Sequence, residues 1–136
     1  RNLATAAAAA RAGQFVLVSS RGVTGPESDF SKGFGNILAW KLKGEEAVRA
    51  SGVPWTIVRP GGLNDEPGGR HGIVLEQGDR TLASTVIARA DVAAACVAAL
   101  REPAARYRTF ELLSVPGEPP TDWGAAFGAL VPDAGA

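Results

Sequence analysis

Phe15-Val16-Leu17-Val18 and Trp55-Thr56-Ile57-Val58 are short runs of apolar or β-branched residues that stop abruptly, the first at Ser19-Ser20 and the second at Arg59-Pro60-Gly61-Gly62. A strand with one wet face alternates apolar and polar residues, whereas a run with no polar side must be covered on both faces. Strands of that kind belong to parallel sheets, whose members are joined by helical crossovers. The intervening segments suit that role. Leu3 to Arg11 reads as a helix ended by Gly13, and Asn36 to Ala50 as a helix ended by Gly52. Asp91 reads as the N-cap of a helix from Val92 to Glu102, with Val92, Cys96, Ala99 and Leu100 on its apolar face and Pro103 as its stop. Thr109 to Ser114 reads as a further strand, and Asp122 to Leu130 as a short terminal helix. Asn64 to Gly72 is a turn-rich loop, and Ile73 to Glu76 with Thr81 to Leu82 suggests a small hairpin around Gln77-Gly78-Asp79. Alternation of this kind predicts an α/β fold with a mostly parallel sheet. Such sheets bind ligands at the carboxyl ends of their strands, where Ser19-Ser20 and Arg59 to Gly62 fall.

A chain of 136 residues suits one domain, and 46% hydrophobic with 21% charged residues indicates a packed core. Lys plus Arg and Asp plus Glu are 14 each, so net charge offers no reason to expect nucleic acid or an anionic membrane as partner. The single cysteine, Cys96, excludes an internal disulfide and fits a reducing, cytoplasmic compartment. The first residues resemble neither a signal peptide nor a membrane span. The chain opens on Arg1 and contains no Met, from which we expect an upstream segment.

Four features can carry chemistry. The hydroxyls of Ser19 and Ser20 can polarise a carbonyl or meet a cofactor, or they can simply turn the chain at a polar strand exit. Lys41 shares a helix face with Ile37, Gly44 and Val48, so its ammonium either snorkels to water or reaches a ligand hydroxyl at the strand ends. Lys43, Glu45, Glu46 and Arg49 read as a solvated face. Gly61 and Gly62 let backbone approach a ligand closely, or merely break the strand. Arg89 and Asp91 read as a local ion pair at a helix start. His71 has no partner at metal-ligand spacing, and Cys96 reads as core. The chain has neither a glycine-rich phosphate loop between strand and helix nor a Gly-x-Ser-x-Gly elbow.

Phe15 to Ser20, Asn36-Ile37-Leu38-Ala39-Trp40-Lys41, Thr56 to Leu63 and Arg89-Ala90-Asp91-Val92 together resemble, in order and spacing, the atypical short-chain dehydrogenases of the NmrA-like, NAD(P)-binding group. The resemblance implies a Rossmann-type doubly wound parallel sheet, with residues 1–136 as the C-terminal part of one NAD(P)-binding domain and residues 115–136 as a terminal loop and short helix. The group's active site uses a Ser, and a Tyr and a Lys spaced as Tyr-x-x-x-Lys. Carried over, Ser20 takes the serine position and Lys41 the lysine position, where it would hold the nicotinamide ribose hydroxyls of NAD or NADP. Pro60, Gly61 and Gly62 would line the nicotinamide pocket, and Ser19 and Leu63 are grouped with them as cofactor-binding. The tyrosine position is Ile37, which cannot transfer a proton, and Tyr107 lies far off in the sequence.

Two functions follow as expectations. One is an NAD(P)H-dependent oxidoreductase acting on a small molecule that needs no tyrosine, such as a quinone. The other is a nucleotide-binding regulator or assembly scaffold without catalysis. With three strands in view, at Phe15, Trp55 and Thr109, we expect these residues alone to fold poorly and to leave apolar strand edges open.

Overall fold

The computed structural model describes residues 2–25, 36–79, 86–120 and 122–134. In chain order it contains α1 (Asn2–Ala9), β1 (Phe15–Val18), α2 (Ile37–Arg49), β2 (Trp55–Pro60), β3 (Gly62–Asn64), β4 (Gly72–Glu76), β5 (Val86–Ala88), α3 (Arg89–Arg101), a 3-10 turn (Pro103–Ala105), β6 (Arg108–Val115) and α4 (Trp123–Gly128). The main sheet has the order β1-β2-β6-β4. Its first three strands are parallel, with Phe15 to Val18 in register with Trp55 to Val58, and Thr56 to Pro60 with Arg108 to Leu112. This is the α/β architecture that the alternation of elements predicts.

Every residue of β2 is buried, because it runs between β1 and β6 and carries helices on both faces. On one face Trp55 and Ile57 pack with Ala4 of α1 and Val48 of α2. On the other, Val58, Phe110 and Leu112 pack with Val92, Ala95 and Ala99 of α3 and with Phe127 of α4. The continuous apolar run is thus explained for β2. It is only partly so for β1, which was expected to be buried on both faces. Among the described residues β1 has β2 as its sole neighbour, and Val18 at its end is 42% exposed.

Several boundaries differ from the sequence reading for local reasons. Helix α1 ends at Ala9, and Arg11 beyond it adopts a left-handed φ of 51°. Helix α3 begins at Arg89, so Asp91 lies in its first turn and Ala88 holds the cap position. Its buried face is Val92, Ala95 and Ala99, whereas Leu100 is 55% exposed. The first arm of the expected hairpin forms β4, which runs antiparallel to β6, with Ile73 opposite Ser114 and Glu76 opposite Glu111. Thr81 and Leu82 lie outside the described residues. Pro60 closes β2 instead of breaking it earlier, and after Gly61 the chain forms β3, which pairs in parallel with β5 as a separate two-stranded sheet.

Beyond α4 the chain returns along β6. The Asp133 carboxylate accepts from the Thr109 backbone N–H at 3.0 Å and from its hydroxyl at 2.6 Å. Gln77 joins the end of β4 to this segment, donating to the carbonyls of Thr109 and Val131 and accepting from the Val131 N–H.

Candidate functional site at the strand ends

Strands β1 and β2 are parallel, so their carboxyl ends emerge side by side. The Ser19 N–H donates to the Val58 carbonyl at 2.7 Å and the Arg21 N–H to the Pro60 carbonyl at 3.1 Å, which extends the pairing beyond β1. Ser19 is buried, and its hydroxyl lies beside Glu45 without meeting any partner at full hydrogen-bond geometry. Ser20 is half-buried and turns its hydroxyl onto the Arg21 carbonyl at 3.1 Å.

Helix α2 brings Lys41 to the same place. Its ammonium donates to the Ser19 carbonyl at 3.1 Å. An ammonium carries three donors, and this bond uses one. Burial lowers the Lys41 pKa from its ordinary value, and the nearby Glu45 carboxylate offsets part of that effect. Ile37, one turn earlier, is 40% exposed. The inward face of α2 is Leu38, Lys41, Glu45 and Val48, one residue round from the expected face of Ile37, Lys41, Gly44 and Val48.

The largest correction concerns Glu45. It does not belong to a solvated face: it is fully buried, and Arg59 of β2 donates to both of its oxygens, Nε to Oε1 at 2.9 Å and Nη2 to Oε2 at 2.8 Å. Arg49 adds a contact of 3.2 Å to Oε2, and Arg59 Nη1 reaches Glu111 Oε1 of β6 at 3.3 Å. Burial works to raise the Glu45 carboxyl, but the hydrogen bonds from Arg59, the adjacent Ser19 hydroxyl and the charges of Arg59 and Arg49 outweigh it, and the group sits below the ordinary carboxylate range. Glu111 goes the other way. Burial pushes it up, its Oε2 reaches no partner at full geometry among the described residues, and the Asp79 backbone and Arg59 compensate only in part.

Asp79, just past β4, completes the cluster. Its carboxylate accepts from the N–H groups of Gly22 and Thr24 at 2.6 and 2.8 Å and from the Thr24 hydroxyl at 2.6 Å. It thereby fixes the turn that follows Ser20. From the sequence, Glu45 reads as part of a solvated face, Arg59 as a strand end and Asp79 as a turn residue, and none of these three or Glu111 reads as part of a buried ionic cluster. One signal was available: Arg59 lies two residues beyond Ile57 in a run with no exposed face, and a buried guanidinium demands a buried carboxylate.

The structure thus brings Ser19, Ser20, Lys41 and Pro60 to neighbouring positions. Gly61, Gly62 and Leu63 continue from them into β3, with Leu63 40% exposed. Arg89 and Asp91 do not form a local pair. Arg89 reaches Asp65 at 2.8 Å, and Asp91 accepts from the Gly69 N–H at 2.7 Å, so both tie down the loop after β3. At Gly68 in that loop a Cβ would lie 2.8 Å from the Asp91 carboxylate, so the close approach requires glycine. No group of His, Cys, Asp and Glu among the described residues is arranged to hold a metal ion, and no helix there is long and apolar enough to cross a membrane.

Comparison with known proteins agrees with this layout. A chloroplastic protein of Arabidopsis thaliana is 41% identical over 133 residues, which is 93% of this chain and 41% of that protein. Sanguinarine reductase of Eschscholzia californica is 42% identical over 118 residues, 82% of this chain and 43% of the enzyme. The structure of a putative NAD-dependent epimerase/dehydratase from Bacillus halodurans superposes with a TM-score of 0.79 at 21% identity, covering 95% of this chain and 57% of that one. The chain therefore spans about two fifths of the length of these curated relatives. Residues 1–103 match the model of a family described as NAD(P)H-binding. With a mainly parallel Rossmann-like sheet and residues 1–103 matched, the chain belongs to this NAD(P)H-binding family, whose cofactor is NAD or NADP.

Proposed function

We propose that this chain forms the nicotinamide-side wall of an NAD(P)H-dependent reductase. The observation that carries the reading is the Lys41 ammonium, held at the carboxyl end of β1 by one bond to the Ser19 carbonyl. Its remaining donors suit two vicinal hydroxyls of a ribose. Pro60, Gly61, Gly62 and Leu63 form the adjoining backbone, and Ser19 and Ser20 border it. NAD(P)H supplies a hydride when bound, and the half-buried ammonium orients the sugar that carries it. Residues 1–136 make up the C-terminal part of one such domain, of which residues 115–136 are the terminal loop and helix. The likeness to sanguinarine reductase supports reduction of a small organic acceptor. Kinship with chloroplast proteins, on the other hand, lends no support to the cytoplasmic placement expected from Cys96.

One observation favours a second reading, a nucleotide-binding regulator or scaffold without turnover: Ile37 stands where a proton donor would be needed. Both readings require Lys41. Loss of a charge-assisted bond costs about 1.5–3 kcal/mol, so Lys41→Ala in the native full-length protein is expected to weaken NADPH binding by roughly 10-fold or more. Calorimetry checks this, and unchanged affinity overturns the assignment. NADPH oxidation against a panel of quinones and aldehydes separates the reductase from the regulator.

A further inference from the structure

We propose that Glu45 is the positioning residue of the dinucleotide site: through its two-point grip on Arg59 it sets where the Lys41 ammonium stands and keeps that ammonium charged. The proposal rests on the reading of Lys41 given above. Lys41 and Glu45 are one turn apart on the inward face of α2, so whatever fixes one carboxylate fixes the cation above it. Of the other inward contacts of this helix, Leu38 and Val48 are apolar, and Arg49, partly exposed, donates to the Thr109 hydroxyl at 2.8 Å. Apolar contacts tolerate small slides and rotations. A guanidinium that meets both oxygens of a carboxylate in its own plane does not.

Arg59 is itself buried and held at both ends of its guanidinium, by Glu45 and Glu111. It belongs to a strand buried along its whole length, and it follows Val58, whose carbonyl receives the Ser19 N–H. A short rigid path therefore runs from the Ser19 backbone through β2, Arg59 and Glu45 to Lys41, and it closes on the Ser19 carbonyl at 3.1 Å. Glu45 is 0% exposed, so water and salt screen it from the half-buried ammonium less than they screen a surface pair.

The same arrangement governs charge. Lys41 is half-buried, which favours its neutral form, and Glu45 is the group that opposes this. The other charged groups on the elements around Lys41 are Lys43, Glu46 and Arg49 on its own helix, Arg21 beyond β1, Arg59 from β2, Arg108 and Glu111 from β6 and Asp79 beyond β4. Residues 2–9 of α1 and 15–18 of β1 carry none. Without Glu45, the buried Arg59 would remain as a charge of the same sign as the ammonium.

The test is NADPH affinity measured from about pH 7 to about pH 10 on the native full-length protein, by fluorescence of the bound dinucleotide. Affinity falls at the alkaline end as Lys41 loses its proton. In Glu45→Gln that fall is expected to begin at lower pH. A helix that was merely loosened would lose affinity equally at all pH values, and that result overturns the proposal. An unmoved alkaline limb overturns it too. Because Glu45→Gln leaves the buried Arg59 with only its 3.3 Å contact to Glu111 as a counter-charge, the double variant Glu45→Gln/Arg59→Met is measured beside it. Replacing both members of a buried pair is often close to neutral for folding, and the same downward shift is expected. Lys41→Ala separates the two readings. If it removes neither affinity nor the alkaline limb, the reading of Lys41 fails. If it removes both while the Glu45 variants leave the limb in place, only the role of Glu45 fails.

Discussion

Asp79 holds Thr24 twice, accepting its backbone N–H at 2.8 Å and its hydroxyl at 2.6 Å, across 55 residues of sequence. The same carboxylate accepts from Gly22, whose φ of 80° is open to glycine at little cost. The turn after Ser20 therefore depends on one side chain.

We expect Asp79→Ala to lower stability by about 1–3 kcal/mol, because it strands two backbone donors. Burial works to raise the Asp79 carboxyl, but its bonds to Thr24 and Gly22 and the charge of Arg59 outweigh this and hold it below the ordinary value. The native state therefore binds this proton less readily than the unfolded chain. The resulting stabilisation is complete above the ordinary carboxylate pKa and is lost as pH falls through the lowered one. Urea midpoints taken down into this acid range should show the wild type converging on the variant, and a constant gap would refute the role of the charge.

Glu111 has the opposite sign. Its pKa is raised, so the native state binds its proton more tightly and stability is lost as pH rises from the ordinary value through the raised one. Glu111→Gln keeps an acceptor for Arg59 and has no proton to lose. Its stability relative to wild type should therefore climb between about pH 4 and about pH 7. Equilibrium unfolding at the two ends of that range decides the matter, and a variant that loses ground as pH rises contradicts it.

Ile37 leads to a prediction about activity. General acid–base help is worth about 10²–10⁴-fold in rate, so oxidation of secondary alcohols by the native full-length protein should be very slow. Ile37→Tyr places a phenol one turn before Lys41 and should raise that rate. Steady-state assays of both forms provide the check. Rapid alcohol turnover by the unaltered protein would show that another group, with Ser20 the first to examine, supplies the proton.

The strands that position the site were readable because their apolar runs are continuous: Phe15 to Val18 and Trp55 to Val58 need little context to be recognised. β3 and β5 were not, since three residues are too few to show a period and their pairing joins Gly62 to Val86. Lys41 was recognisable as a cation on an inward face. Its neighbours there were misjudged by one position, since Ile37 and Leu38 are equally apolar and only packing chooses between them. Arg59 read as the end of a strand because a charge normally marks one. Its partner Glu45 lies 14 residues earlier on another element, and no local pattern joins them. Asp79 was invisible for the same reason at greater separation.

Lys41, Glu45 and Arg49 recur every four residues along α2, and each is seated on a different part of the sheet: the Ser19 carbonyl of the β1 exit, Arg59 of β2, and the Thr109 hydroxyl of β6. The helix is indexed against three strands at once, like a key with three cuts. Turning it by one residue, about 100°, would unseat all three together, so no intermediate setting holds some of them in place. Apolar residues elsewhere on α2 can change in size while the ammonium stays at one spot. The precision of the strand-end site is stored in charges seated against the sheet one and two turns below it.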